Sequence, residues 1–395
     1  MTSVASRPIE PEVDLAAFAG DDGWLFMRDG VGVAGRGEAM RVAAADADRV
    51  LADLGGRTVA IGARPFDRDA EWDLVVPRHQ IRVDADGSAW ETLVDGQDAH
   101  AVGSRAATDA TADRAAAVTC VGPVRIESVE SAEEWCASVA RATGFIRAGR
   151  AEKIVLCREV TAIAEQPLAP SLLVGRLAER FDGCFLYRVD GLVGASPELL
   201  VERVGVTVRS QPMAGTARRS DDPVHDDALR AELFASSTYR HEHQLTIDMV
   251  HDTLLDYTSY LDFEPEPQIV PLANVFHLAS RVEGRLSSPP ASVLDLQAAL
   301  HPTPAVSGRP RDAAVRLIAE LEGRDRGRYA GTVGWVDGAG NGCWAVTIRC
   351  AQIDPDDPRR ARIHAGCGLV ADSDPARELS ESEAKLQAIL SVLED

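Results

Sequence analysis

Lysine is nearly absent from this chain. Lys153 and Lys385 are the only two; with 41 Lys plus Arg in total, the other 39 cations are arginine. Positive charge is also short overall. The formal net charge of −21 excludes a nucleic acid or an anionic membrane surface as the expected partner. No apolar run approaches the roughly 18 residues of a membrane-spanning helix. The first residues, MTSVASRPIEPEVDLAAFAG, lack a basic region followed by an apolar stretch, so no secretory signal is expected. The seven cysteines are odd in number and scattered, and no CxxC occurs. That pattern excludes a disulfide framework and a zinc knuckle and suits free thiols in a reducing cytoplasm. No repeat of fixed period is present.

What is present falls into two parts. Residues 1–125 read as a variable N-terminal portion, with strand-like runs GWLFM and RTVAIGA, and with loops, short strands and one or two long insertions from Asp84 to Arg114. Residues 126–395 are more regular. Ser131 and Glu134 form a capping box ahead of a helix that carries Trp135, Val139 and Ile146 at helical spacing. Gly149 stops that helix and KIVLCREV reads as a strand, placing Lys153 where the strand begins. One long helical pattern runs from Val224 to about Tyr257, and CWAVTIRCAQI reads as strand. Strands in runs with helices between them argue an α+β fold of largely antiparallel sheets.

The final helix holds the clearest chemistry. Asp374 or Ser373 suits its N-cap and Pro375 its first turn. Glu378, Glu381 and Lys385 then share one face at 100° per residue. Two carboxylates at that spacing could hold a hard cation such as Mg²⁺; equally, they could form a solvated charged face. The lysines raise a parallel question. Arginine keeps its proton, whereas a crowded or buried lysine can lose it, so Lys153 and Lys385 are candidates for a site, unless an arginine-biased genome left them by chance. RHEHQ is not a zincin motif, because Leu245 stands where the second histidine should. Glu242 within it is a further carboxylate for a hard metal.

Together, KIVLCR, GASPEL, PMAGTARR, FHLAS, HPTPAVSGRP, DRGRYAGTVGW, TIRCA, AGCGLV and ELSESEAKL resemble the chorismate-utilising enzymes: isochorismate, salicylate, anthranilate and aminodeoxychorismate synthases. The likeness spans roughly residues 130–393 and is strongest to isochorismate synthases of siderophore pathways. It implies one large aminodeoxychorismate synthase-like fold, with helices around a central cleft. It also implies conversion of chorismate to isochorismate. Lys153 then matches the base that activates water and Glu198 the acid that protonates the departing hydroxyl. Glu242, Glu378 and Glu381 match a Mg²⁺ site. Arg349 and Tyr329 match the grip on one substrate carboxylate, helped by the backbone near Gly366. Gly215, Thr216 and Lys385 match contacts to the ring carboxylate and its surroundings, and His277 lines the pocket. His301 is expected to be structural. Ala305 and Arg311 resemble the branch that stops at isochorismate, where lyase relatives tend to carry threonine and lysine. The lysine at 153 implies water as nucleophile and no glutamine amidotransferase partner, and the cleft within one chain implies a monomer. Two departures stand out: Ser237, Thr238 and Tyr239 replace a Glu-Lys-Asp run, and Cys343 stands where relatives often have glutamate.

Overall fold

Alternating and fully apolar β-branched runs make strand the dominant element, and among the described residues every strand pairing is antiparallel. The structure, a computed structural model, describes residues 2–94, 122–220, 222–272 and 275–394. One strand network branches into two wings. The first runs through Val4–Ile9, Ala89–Val94, Asp73–Val83, Val31–Ala43, Trp24–Arg28, Phe185–Val189, Leu192–Ser196, Cys350–Ile353, Arg360–Leu369, Lys153–Ala164 and Val124–Ser128. The second leaves Asp73–Val83 through Val59–Arg64 and continues through Thr332–Asp337, Gly342–Val346, Leu199–Val204, Thr207–Gln211, Val282–Leu286 and Thr258–Phe263. N-terminal strands thus zip directly onto C-terminal ones. The main core draws on both wings through Phe26, Tyr187, Ile154, Val333 and Trp344. Each such side chain contributes about 1.5–3 kcal/mol on burial. A second core, with Leu173, Leu177, Ile389 and Leu393, lies under the helices Pro170–Arg180 and Pro375–Glu394.

The helix Ala132–Arg147 starts at the expected capping box: Glu134 N–H donates to Ser131 Oγ, and Ser131 N–H donates to the Glu134 carboxylate. It ends before Gly149, whose φ of 73° turns the chain into the strand beginning at Lys153. Asp374 caps the last helix by accepting from Arg377 N–H at 2.9 Å.

Two elements differ from the sequence reading, and both differences aim side chains at the cleft. The long helical pattern divides into Pro223–Ala235 and Ser237–Leu255. Ser236, with φ −66° and ψ 119°, ends one and caps the next through Tyr239 N–H. A serine hydroxyl competes for backbone donors and favours such a break, while apolar periodicity passes through it unchanged. Likewise, the run CWAVTIRCAQI is two strands, Gly342–Val346 and Cys350–Ile353. The chain leaves the ladder at residues 347–349, where Arg349 has φ 52°. A left-handed arginine is costly and marks a position that the surroundings over-determine. The reading of residues 84–114 as loops and short strands agrees with the strand Ala89–Val94; from residue 95 it lies outside the described residues.

Candidate active site

A cleft of about 410 Å³ opens between the sheets and the helices Ser237–Leu255 and Pro375–Glu394. Every residue selected from the sequence as a site member lines it, except Lys153: Glu198, Gly215, Thr216, Glu242, His277, Ala305, Tyr329, Arg349, Gly366, Glu378, Glu381 and Lys385. Lys153 lies just beneath the floor, 1 % exposed, with Nζ donating to Glu242 Oε1 at 2.7 Å. Gly368 makes room for this pair. A Cβ there would stand 2.9 Å from Glu242 Oε1 and 3.0 Å from Lys153 Cε.

Glu198 follows the strand Leu192–Ser196 and is 3 % exposed. Its Oε1 is buried and has no hydrogen-bond partner among the described residues. Burial pushes its carboxyl up to about 8, against the opposing pull of the Met213 backbone and of Lys153 and Arg349. At neutral pH this group therefore favours its protonated form.

Cationic and hydrogen-bonding groups line the same cleft. Arg349 is partly buried; Nη2 lies 3.0 Å from His277 Nε2, and Nη1, itself buried, has no partner among the described residues. Burial lowers its pKa, yet a guanidinium stays charged. His277 Nδ1 in turn lies 3.0 Å from Thr216 Oγ1. The pairing arises from a bulge: register shifts between Ala214 and Thr216, and Gly215 takes φ 76°. Lys385 Nζ donates to the Gly366 carbonyl at 2.8 Å and to Glu381 at 2.7 Å. Burial works against its charge, but Glu381 outweighs it and holds the ammonium above its ordinary value. The Tyr329 ring stacks on His364, with centroids 5.0 Å apart, and its hydroxyl reaches to Gly366, 3.0 Å from where a Cβ would stand.

Glu378 and Glu381 come together, with their oxygens and Cys367 Sγ all within 4.8 Å of one another. Burial and the Glu381 charge push the Glu378 carboxyl up to about 7. The Cys367 S–H donates to the Glu378 carbonyl at 3.3 Å, and burial holds the thiol well above its usual value. The pair therefore presents carboxylate oxygens under mutual repulsion, a donor set that fits a hard divalent cation. Glu242 does not join this group; among the described residues it belongs with Lys153.

Other candidates separate from the site. His301 is buried and bonded to the Phe66 carbonyl at 3.1 Å, away from the cleft. His243 is buried against Ser280 Oγ at 3.0 Å, and burial pushes it down to about 4, while His241 is exposed. Arg311 donates to the Ala299 carbonyl and Cys343 is buried in a strand; neither lines the cleft. Sequence reasoning missed three lining or adjacent groups: His364, Cys367 and Arg377. Tyr239, singled out above only as part of a departure from relatives, bonds Arg377 at 3.1 Å and so bridges the helices at the cleft. The only sequence signal of Arg377 is its position, one residue before Glu378.

This is an enzyme-like cleft: a small-molecule volume, three cations set against a strongly acidic chain, and a carboxylic acid kept neutral. Comparison with known proteins gives the same class a family. Residues 70–394 match the chorismate binding enzyme family, and the chain belongs to it. It is 44% identical to MenF of Mycobacterium tuberculosis over 273 residues, covering 66% of this chain and 73% of that protein. It is 34% identical to the isochorismate synthase EntC of Escherichia coli over 339 residues, covering 85% and 81%. Among solved structures, DhbC from Bacillus anthracis, described as 2,3-dihydroxybenzoate-specific, superposes with a TM-score of 0.79 at 30% identity, covering 94% of this chain and 96% of that one. MenF of Escherichia coli, described as menaquinone-specific, shares the fold, with a TM-score of 0.83 at 24% identity, covering 100% of this chain and 95% of that one.

Proposed function

We propose that this protein is an isochorismate synthase, converting chorismate to isochorismate by adding water at C2 and expelling the C4 hydroxyl. One observation carries the reading: Glu198, buried, unpartnered at Oε1 and held at about 8, is a carboxylic acid with a proton to give in an anion-binding cleft. Lys153 takes the proton of the incoming water, and Glu198 gives its proton to the departing hydroxyl, which leaves as water. Proton return from the lysine to the carboxylate through solvent resets both groups, so the net reaction is an isomerisation. Lys153 donates to Glu242 at 2.7 Å; as a base its amine must be neutral, with one N–H kept on Glu242 and its lone pair turned to the water.

The two carboxylates of the substrate have separate partners. Arg349, with Nη1 free of protein partners, and Tyr329 hold one. Lys385, Gly215 and Thr216 border the other. Glu378 and Glu381 would hold Mg²⁺; Glu242 lines the same cleft but is paired with Lys153. That ion would supply positive charge beside a substrate carboxylate and relieve the repulsion that lifts Glu378. Ala305 leaves the wall of the cleft without a hydroxyl, in keeping with a reaction that stops before pyruvate is lost. Relatives named above are specific for 2,3-dihydroxybenzoate and for menaquinone in turn; the resemblance in HPTPAVSG favours a siderophore pathway as the consumer. We further propose a cytoplasmic monomer working without a glutamine amidotransferase. No helix among the described residues is long and apolar enough to cross a membrane.

The test is chorismate turnover with and without Mg²⁺, products separated by chromatography and pyruvate assayed in parallel. Isochorismate formed only with Mg²⁺ and without pyruvate supports the proposal; stoichiometric pyruvate, or no turnover, overturns it.

A further inference from the structure

We infer that His277 is a positioning residue locked by Arg349 in its Nδ1–H tautomer, so that the Thr216 hydroxyl faces the bound substrate as a hydrogen-bond donor. The inference deepens the reading above and rests on it for the identity of the substrate. Its structural half stands on geometry alone.

Arg349 Nη2 is 3.0 Å from His277 Nε2. A guanidinium has five donors and no acceptor, so that contact is favourable only if Nε2 offers its lone pair. A neutral imidazole then carries its hydrogen on Nδ1. Nδ1 is 3.0 Å from Thr216 Oγ1, and its N–H donates there. The Thr216 oxygen has accepted on that side, so its own hydrogen points elsewhere, and the side chain lines the cleft. The reverse order, with Thr216 donating to Nδ1, would set an Nε2–H against the guanidinium, donor facing donor. Protonating both nitrogens would place an imidazolium against Arg349 with Lys385 nearby. Burial and these two cations also depress the basicity of the ring.

The arrangement is built into the fold. Thr216 and His277 are register partners on the strands Met213–Arg218 and Val275–Ala279, next to the bulge at Gly215. Arg349 reaches them because residues 347–349 leave the sheet. His277 therefore exchanges no proton during the reaction. It transmits the direction of one Arg349 N–H to a neutral hydroxyl, while Arg349 Nη1 remains for a substrate carboxylate. A threonine in this place could act as donor or acceptor; the chain makes it a donor, matched to the carboxylate and hydroxyl oxygens of an anionic substrate.

Nitrogen-15 imidazole NMR on the intact enzyme without substrate tests the tautomer directly, with the His277 signals assigned by their loss in His277→Gln. The expected result is a protonated Nδ1 and an unprotonated Nε2, unchanged from about pH 6 to about pH 8. An Nε2–H tautomer, or titration to imidazolium in that range, overturns the inference. This readout needs no turnover, so it stands apart from any failure of the isochorismate synthase assignment. Kinetics test the consequence. Thr216→Ser should keep kcat/KM within about threefold, whereas Thr216→Val should lose about tenfold or more. In the Thr216→Val background, His277→Gln, which can still accept from Arg349, should cost less than about twofold further, because both act on one hydroxyl. A serine variant as impaired as the valine one, or fully additive losses, would overturn the donor role.

Discussion

Replacing Glu198 by glutamine should make this protein more stable and nearly inactive at once. A carboxyl whose pKa rises on folding binds its proton more tightly in the native state, so native stability falls as pH climbs between the two values. Here they are an ordinary 4.5 and about 8 in the fold. At about 1.4 kcal/mol per unit, the cost to folding is under about 1 kcal/mol near pH 5, about 3 kcal/mol near pH 7 and about 5 kcal/mol above pH 9. Glutamine keeps the shape, accepts from the Met213 backbone and has no charge to bury. With about 2.1 cal/mol/K of unfolding entropy per residue, a chain of 395 residues shifts its Tm by roughly 1.2 °C per kcal/mol. Glu198→Gln should therefore melt about 1 °C above wild type near pH 5, about 4 °C near pH 7 and about 6 °C near pH 9. Over the same range kcat should fall by about 10²–10⁴-fold, the usual contribution of a positioned acid. Paired thermal melts and steady-state assays across pH check both. A stability difference that does not grow with pH, or a variant that turns over like wild type, refutes the reasoning.

Three further outcomes follow from the same geometry. Lys153→Arg retains the cation beside Glu242 but cannot release a proton, so kcat should drop by about 10²-fold or more; near-wild-type turnover would remove Lys153 from the base role. Glu381→Gln removes one charge from the Glu378–Glu381 pair and should weaken Mg²⁺ binding by about tenfold in calorimetry, while an unchanged titration would exclude it as a ligand. Gly368→Ala places a methyl carbon 2.9 Å from Glu242 Oε1 and 3.0 Å from Lys153 Cε; kcat should fall by about tenfold or more with less than about 2 kcal/mol of stability lost, and unimpaired kinetics would show that the pair need not stay in place.

Much of the site is legible in the sequence because two of its parts are local. The scarcity of lysine singles out Lys153 and Lys385, and helical spacing alone puts Glu378, Glu381 and Lys385 together, as the 2.7 Å Lys385–Glu381 contact reflects. Capping residues mark the helix starts at Ser131 and Asp374 because caps act over three residues. The rest depends on long-range geometry. Nothing near Lys153 announces Glu242, 89 positions away, and the family resemblance alone supplied their common site. The break at Ser236 and the departure from the sheet at residues 347–349 are tertiary decisions. Local propensity for Thr347 and Ile348 favours strand, and the fold overrides it to turn Arg349 inward. Cys367 looks like one more scattered thiol until the last helix lays Glu378 across it.

The central claim is that water enters the ring on one side and hydroxide leaves, as water, with a proton from Glu198. Running the reaction in oxygen-18-labelled water tests it most directly, with the isochorismate isolated early and analysed by mass spectrometry. One labelled oxygen per product molecule is expected, carried by the C2 hydroxyl. Isochorismate formed without label would mean that the original hydroxyl migrates within the ring, and the base and acid roles of Lys153 and Glu198 would both fall.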